Sequence, residues 1–231
     1  MTWSSLIVPR LGMLAVAGLC LTAGLQPAQA TVLAPGGSCA GCTAFTSADL
    51  GVLQASISVA VQSPAPGGAS VWSGVLRSAV YTDGVAGGAT DGLVFIYQFL
   101  YNSGTEGIHR ISDFNFTSFI TDFGFIVGDP DGGGIFTAGN QAFATGDRSS
   151  VTGGTVGFNY DGNLIGTAET SYTMVVKTNA TSWTTAIAGV ANGGTANAAS
   201  FAPIPEPGTY GLLALGMGGL IAIARRRKLN A

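Results

Sequence analysis

Through the middle of the chain apolar residues recur at every second position, the period of a strand with one buried face. Thr155 to Tyr160 places Val156, Phe158 and Tyr160 on one side and small or polar groups on the other. Residues 171–178 alternate in the same way, with Tyr172, Met174 and Val176 opposite Ser171, Thr173 and Lys177. Residues 93–101 (LVFIYQFLY) are apolar on both faces except at Gln98, as a central strand covered on each side would be. Further strands are predicted over 52–61, 71–81, 108–116, 120–127 and 183–190. Turn signals lie among them: Pro64-Ala65-Pro66-Gly67-Gly68, Asp83-Gly84, Asp91-Gly92, Asp161-Gly162 and Asn192-Gly193-Gly194. Strands in this number with glycine-rich connections predict an all-β fold, an antiparallel β-sandwich with a jelly roll as one arrangement. No fixed internal period is visible, which disfavours a solenoid.

The two ends read differently. Arg10 precedes an uncharged apolar run, Leu11 to Leu25, and then Ala28-Gln29-Ala30, small residues flanking one spacer. That order is a secretory signal peptide over residues 1–30, cut after Ala30 so that the mature chain begins at Thr31. At the other end, Pro205-Glu206-Pro207 is followed by an uncharged run, 209–224, and by Arg225-Arg226-Arg227-Lys228. As a helix the run would reach about 24 Å, slightly under the ~30 Å hydrocarbon core of a bilayer. The basic cluster would stay cytoplasmic, leaving the body outside. The organisation expected is a leader (1–30), a secreted domain (31–202) and a tail (203–231).

The tail resembles the PEP-CTERM sorting signal of Gram-negative bacteria, on Pro205, Glu206, Pro207, the short apolar helix and the Arg225 to Lys228 cluster. The same kind of tail is also labelled after ice-binding proteins, a name that says nothing of the body. The resemblance implies signal peptidase and an exosortase as processing partners, and the membrane only as a sorting intermediate. It implies release or transfer to the cell surface, among extracellular polysaccharide and other matrix proteins of a biofilm. A plain single-span anchor is the alternative. The body is also similar to a recurring kind of PEP-CTERM passenger, at residues 92–98, 108–116 and 171–180, the last leading into 197–203 directly before the tail. These are core-strand patterns, so they bear on fold and carry no catalytic residue across.

Composition narrows the classes. Of 231 residues only 9% are charged, against ~25% in typical soluble domains, and 36 are glycine. Coiled coils, charge-rich disordered tails and basic nucleic-acid binders are excluded. The precursor carries a net −3. Between Thr31 and Ile204 the bases are Arg77, Arg110, Arg148 and Lys177, against eleven acids, which leaves −7. Such a body avoids anionic polymers unless a cation bridges them.

Candidate chemistry is sparse. Cys39 and Cys42, the only cysteines after residue 30, are expected to pair in an oxidising compartment; free thiols and metal or redox chemistry are the alternatives. His109, the sole histidine, would have to be the base of any Ser-His-Asp triad, and no Gly-x-Ser-x-Gly elbow accompanies it. Asp129 and Asp131, in GDPDGGG, can present oxygens to Ca²⁺, and the same letters spell an ordinary turn. Asp147-Arg148 and Asp161-Gly162-Asn163 could add ligands. Two of Asp113, Asp122, Asp129 and Asp131 could form the paired carboxylates of a hydrolase. Trp72, Trp183, Tyr81 and Tyr101, where exposed, could stack on sugars, although in a sandwich they belong more often to the core. The sequons at Asn115 and Asn179 are read as accidental. The expectation is a non-enzymatic surface or matrix protein without a cofactor, with a carbohydrate- or Ca²⁺-dependent binding module as the alternative.

Overall fold

The computed structural model describes residues 31–63, 71–85, 87–192 and 194–204. The leader with Ala28 and Ala30, the motif Pro205-Glu206-Pro207, the predicted membrane helix and the basic cluster lie outside the described residues. Within them the chain forms β1 (Ser38–Cys39), β2 (Thr43–Ala44), β3 (Leu50–Gln62), β4 (Trp72–Asp83), β5 (Leu93–Gly104), β6 (Arg110–Asp113), β7 (Thr121–Ile126), β8 (Thr145–Arg148), β9 (Val156–Asn159), β10 (Thr173–Thr178), β11 (Trp183–Asn192) and β12 (Gly194–Pro203). A single 3-10 turn, Ser47–Asp49, precedes β3.

The strands make two six-stranded sheets, ordered β1-β8-β9-β6-β11-β12 and β2-β7-β10-β5-β4-β3. Their facing sides share one core. Phe95, Tyr97, Phe99, Phe123, Met174 and Val176 come from the second sheet, and Ile111, Val156, Phe158, Val190 and Phe201 from the first. Edge-on aromatic pairs fill it, Trp72 with Phe99 at 5.9 Å and Phe95 with Phe116 at 5.6 Å. The alternation predicted for 155–160 is borne out: Val156, Phe158 and Tyr160 all point into this core.

The central strand is also as expected. β5 lies between β10 and β4, and Leu93 to Phe99 are all buried. Its other face, Val94 and Ile96, packs in a second cluster with Phe45, Leu50, Ile135, Phe136 and Val175. The outer side of this sheet is therefore covered by residues 45–50 and by the loop after β7. Gln98, the lone polar residue of the strand, faces that loop. It donates to the Thr137 carbonyl at 2.6 Å and accepts from the Thr137 amide at 3.1 Å.

The structure corrects the sequence reading in three places. The sandwich is mixed rather than purely antiparallel, because β2 runs parallel to β7. The strand predicted over 108–116 shrinks to β6. Asn115 takes a left-handed backbone (φ 75°), and the chain turns before burying Phe116. The polar face of 171–178 is not solvated: Ser171, Thr173 and Lys177 are all buried. Strands β1, β2, β8 and β12 were not predicted; β12 follows β11 across the predicted Asn192-Gly193-Gly194 turn.

Candidate functional site

A cavity of about 420 Å³ opens on the outer side of the second sheet. Its walls come from separate elements: Val32 before β1, Phe45 and Asp49 before β3, Asp83 at the end of β4, Asp122 in β7 and Lys177 in β10. Lys177 Nζ and Asp83 Oδ1 form an ion pair at 2.8 Å with both side chains nearly buried. The same ammonium sits 5.5 Å from the centre of the Phe45 ring, a cation–π distance.

Asp122 is only 3% exposed, and its Oδ1 has no hydrogen-bond partner. Burial pushes its carboxyl up to about 6, opposed by the Thr31 amide and by Lys177 and reinforced by Asp83. Lys177 is already committed to Asp83, so Asp122 lacks a counter-ion of its own. The chain arrives beside it in extended form. Leu33 N donates to Thr121 O at 2.9 Å, Phe123 N to Thr31 O at 3.2 Å, and Thr31 N to Thr43 Oγ1 at 3.1 Å. Chemically the cavity offers carboxylate acceptors, one ammonium donor and an apolar rim, the equipment of a polar-ligand pocket.

The other predicted sites are scattered. Cys39 and Cys42 are joined as a disulfide, Cα–Cα 5.3 Å, packed over Gly146 of β8. Asp129 Oδ1 accepts the amides of Asp131 and Gly132, and the Asp131 carboxylate accepts those of Gly134, Ile135 and Phe136. Both carboxylates thus fold the loop that covers β5. Among the described residues no three His, Cys, Asp or Glu side chains gather as a metal site.

His109 Nδ1 meets Asp161 Oδ1 at 3.1 Å at the surface. Asp147 pairs with Arg110 (Nη2–Oδ1 2.7 Å), and Arg148 turns inward to the carbonyls of Leu33, Phe116 and Gly153 at 2.8–3.0 Å. Asp113 lies between the sheets, away from the cavity that holds Asp122; the four candidate hydrolase carboxylates are not brought together. Trp72, Tyr81 and Tyr101 are buried, and Trp183 packs half-buried on Phe201 at 5.1 Å. These rings serve the core rather than a sugar-stacking face.

Sequence reasoning missed the Asp83–Lys177 pair. Asp83 reads as the first letter of a turn, and Lys177 as the solvated face of an alternating strand. The one available signal was that Lys177 is the only lysine between Thr31 and Ile204.

Beyond the cavity, the chain's C-terminal end decides its class. β12 pairs with β11 through Pro203, opposite Trp183, and the chain then enters a segment that matches a known pattern over residues 203–228. That pattern is the PEP-CTERM protein-sorting motif. PEP-CTERM motifs mark exported proteins that an exosortase processes, and this chain carries one at its C-terminal end. The match includes Pro205, Glu206, Pro207 and the Arg225 to Lys228 cluster. No curated protein and no solved structure matches the chain.

Proposed function

We propose that this PEP-CTERM protein is a non-enzymatic component of the cell surface or extracellular matrix. A signal peptidase delivers it, and an exosortase releases it from a transient inner-membrane intermediate whose C-terminus is cytoplasmic. The observation that carries the reading is the junction at Pro203, where a folded, acidic sandwich passes directly into the sorting motif. Its partners are extracellular polysaccharide or other matrix proteins. The test is the intact mass of the protein recovered separately from envelope, medium and matrix of its host. A species running from Thr31 to near Pro205-Glu206-Pro207 in the matrix fraction is expected. Retention of Arg225 to Lys228 would make it a tail-anchored envelope protein, and turnover of a glycan or peptide by the purified protein would overturn the non-enzymatic part.

The cavity favours a second reading, in which the body binds a polyhydroxy ligand such as a glycan. The unpartnered Asp122 Oδ1 would accept a hydroxyl beside the Lys177 ammonium. Calorimetric titration with oligosaccharides from the host's own exopolysaccharide, repeated with Asp122→Asn, distinguishes this pocket from non-specific adhesion.

A further inference from the structure

The sandwich is lopsided in its edges. On one side the two sheets end in β1 and β2, two residues each; on the other they end in β3 and β12, thirteen and ten residues. β12 packs across β3 and β4, so both long edges lie on the same side of the molecule. An unpaired edge presents a row of N–H and C=O groups to any passing strand, and soluble proteins blunt such edges with charge, proline, bulges or shortness. β1 and β2 are blunted by shortness.

Among the described residues β3 is not blunted along most of its length. Its sequence, LGVLQASISVAVQ, contains no charged residue and no proline. Register shifts interrupt the ladder near Leu53, but from Ala55 to Gln62 it pairs with β4 without a break. Along this run Ser56, Ser58, Ala60 and Gln62 are exposed, while Ala55, Ile57 and Val59 are anchored on the core. In a body of net charge −7, this stretch is one where a second acidic copy can approach without meeting a carboxylate on the strand itself.

We propose that β3 is a self-association edge, on which the β3 strand of a second copy of this chain docks antiparallel. A two-fold axis at Ser58 sets Ser58 opposite itself, Ser56 opposite Ala60 and Gln54 opposite Gln62, an arrangement of small and uncharged pairs. The two six-stranded sheets then continue into one. Because the contact is isologous and the opposite edge of the same sheet, β2, is only two residues long, association through β3 closes at a dimer and does not propagate into a fibre. The inference goes beyond the matrix reading and does not depend on it, since an exported protein of any activity could pair in this way.

The test uses the processed protein recovered from its host. Its mass is followed by light scattering and sedimentation over a range of concentrations, and backbone amides by hydrogen exchange. Ser58→Lys places like charges directly opposite each other across the two-fold axis, where they repel. Val151→Lys, in a turn where the side chain is 88% exposed, is the charge control. A dimer is expected, with Ser58→Lys weakening it at least tenfold and Val151→Lys leaving it unchanged. Alternate amides between Ala55 and Gln62 should gain protection as the dimer forms, a readout that needs no variant. A monomer at all concentrations, a dimer indifferent to Ser58→Lys, or open-ended assembly would each overturn the proposal.

Discussion

The Tyr97 hydroxyl donates to the carbonyl of Phe201 at 2.7 Å, joining the middle of one sheet to the last strand of the other. The ring is fully enclosed, so no water replaces the bond if the hydroxyl is removed. Tyr97→Phe leaves a buried carbonyl without this partner and should cost about 1–2 kcal/mol. Urea unfolding measures it as a lower midpoint at unchanged slope.

Beside this bond lies Asp113, whose carboxyl burial pushes up from 3.8 to about 8, opposed by the nearby Ser200 hydroxyl, by the Phe114 amide, which donates to Oδ1 at 2.6 Å, and by the nearby Tyr97 hydroxyl. The folded chain keeps a proton here that the unfolded chain releases near pH 4. The contribution is full below about pH 4, declines as pH rises and is lost above about pH 8. The protein should therefore be less stable at pH 8 than at pH 5. Asp113→Asn should remove about 1–3 kcal/mol of that difference, read from urea titrations at the two pH values.

Asp122 adds a smaller drift of the same sign between about pH 4 and its folded value of about 6. A leader cut between Ala30 and Thr31 changes this, because the Thr31 amide beside Asp122 becomes an ammonium. Asp83 and Asp49 add negative charge around the same cavity, and Lys177 is taken by Asp83. The new charge should lower the Asp122 pKa and stabilise the fold at pH 7 by about 1 kcal/mol relative to a chain with one extra alanine before Thr31. Thermal melting compares the two, and N-terminal mass verifies each start. With Asp122→Asn the difference should shrink to what Asp83 and Asp49 alone supply.

The Lys177–Asp83 pair predicts a non-additive result. Lys177→Met leaves two buried carboxylates without their cation and should cost about 3–5 kcal/mol. Asp83→Asn in the same chain should recover part of that loss. A double-mutant cycle in urea yields the coupling directly.

The loop of Asp129 and Asp131 predicts indifference to calcium. Its carboxylates already accept five backbone amides and shape the cover over β5. Melting temperature should be the same in EDTA and in millimolar Ca²⁺. Asp131→Ala, which releases three amides, should lower it by several degrees.

How far the fold could be read from the sequence depends on which force set each element. β5 announces itself because nine residues, apolar but for Gln98, need cover on both sides, and the structure supplies it. β12 does not. Before Phe201 its buried positions are Ala196, Ala198 and Ser200, too small to register as an apolar stripe, yet suited to close packing against β3 and β4. β8 is hidden for another reason: its charges, Asp147 and Arg148, are satisfied by groups distant in sequence, Arg110 and the Leu33 carbonyl.

The cavity was invisible for the same reason as the Arg148 contacts. Asp83, Asp122 and Lys177 come from three strands, and only the sheet order β7-β10-β5-β4 sets them around one opening. Their local context spells a turn and two strand faces. By contrast the C-terminal sorting motif depends on order along the chain rather than on folding, and was legible in full.

The final hydrogen bond of the hairpin, Ile204 N to Ser182 O at 3.1 Å, ends one residue short of Pro205. A protease must draw several residues of its substrate into an extended, unpaired form to cut it. Upstream of Ile204 that would mean stripping β12 from β11 and opening the interior that Phe201 and Ala202 close. The fold itself thus sets an upstream limit to trimming: an enzyme that removes the tail without opening the sandwich leaves β12 paired through Ile204.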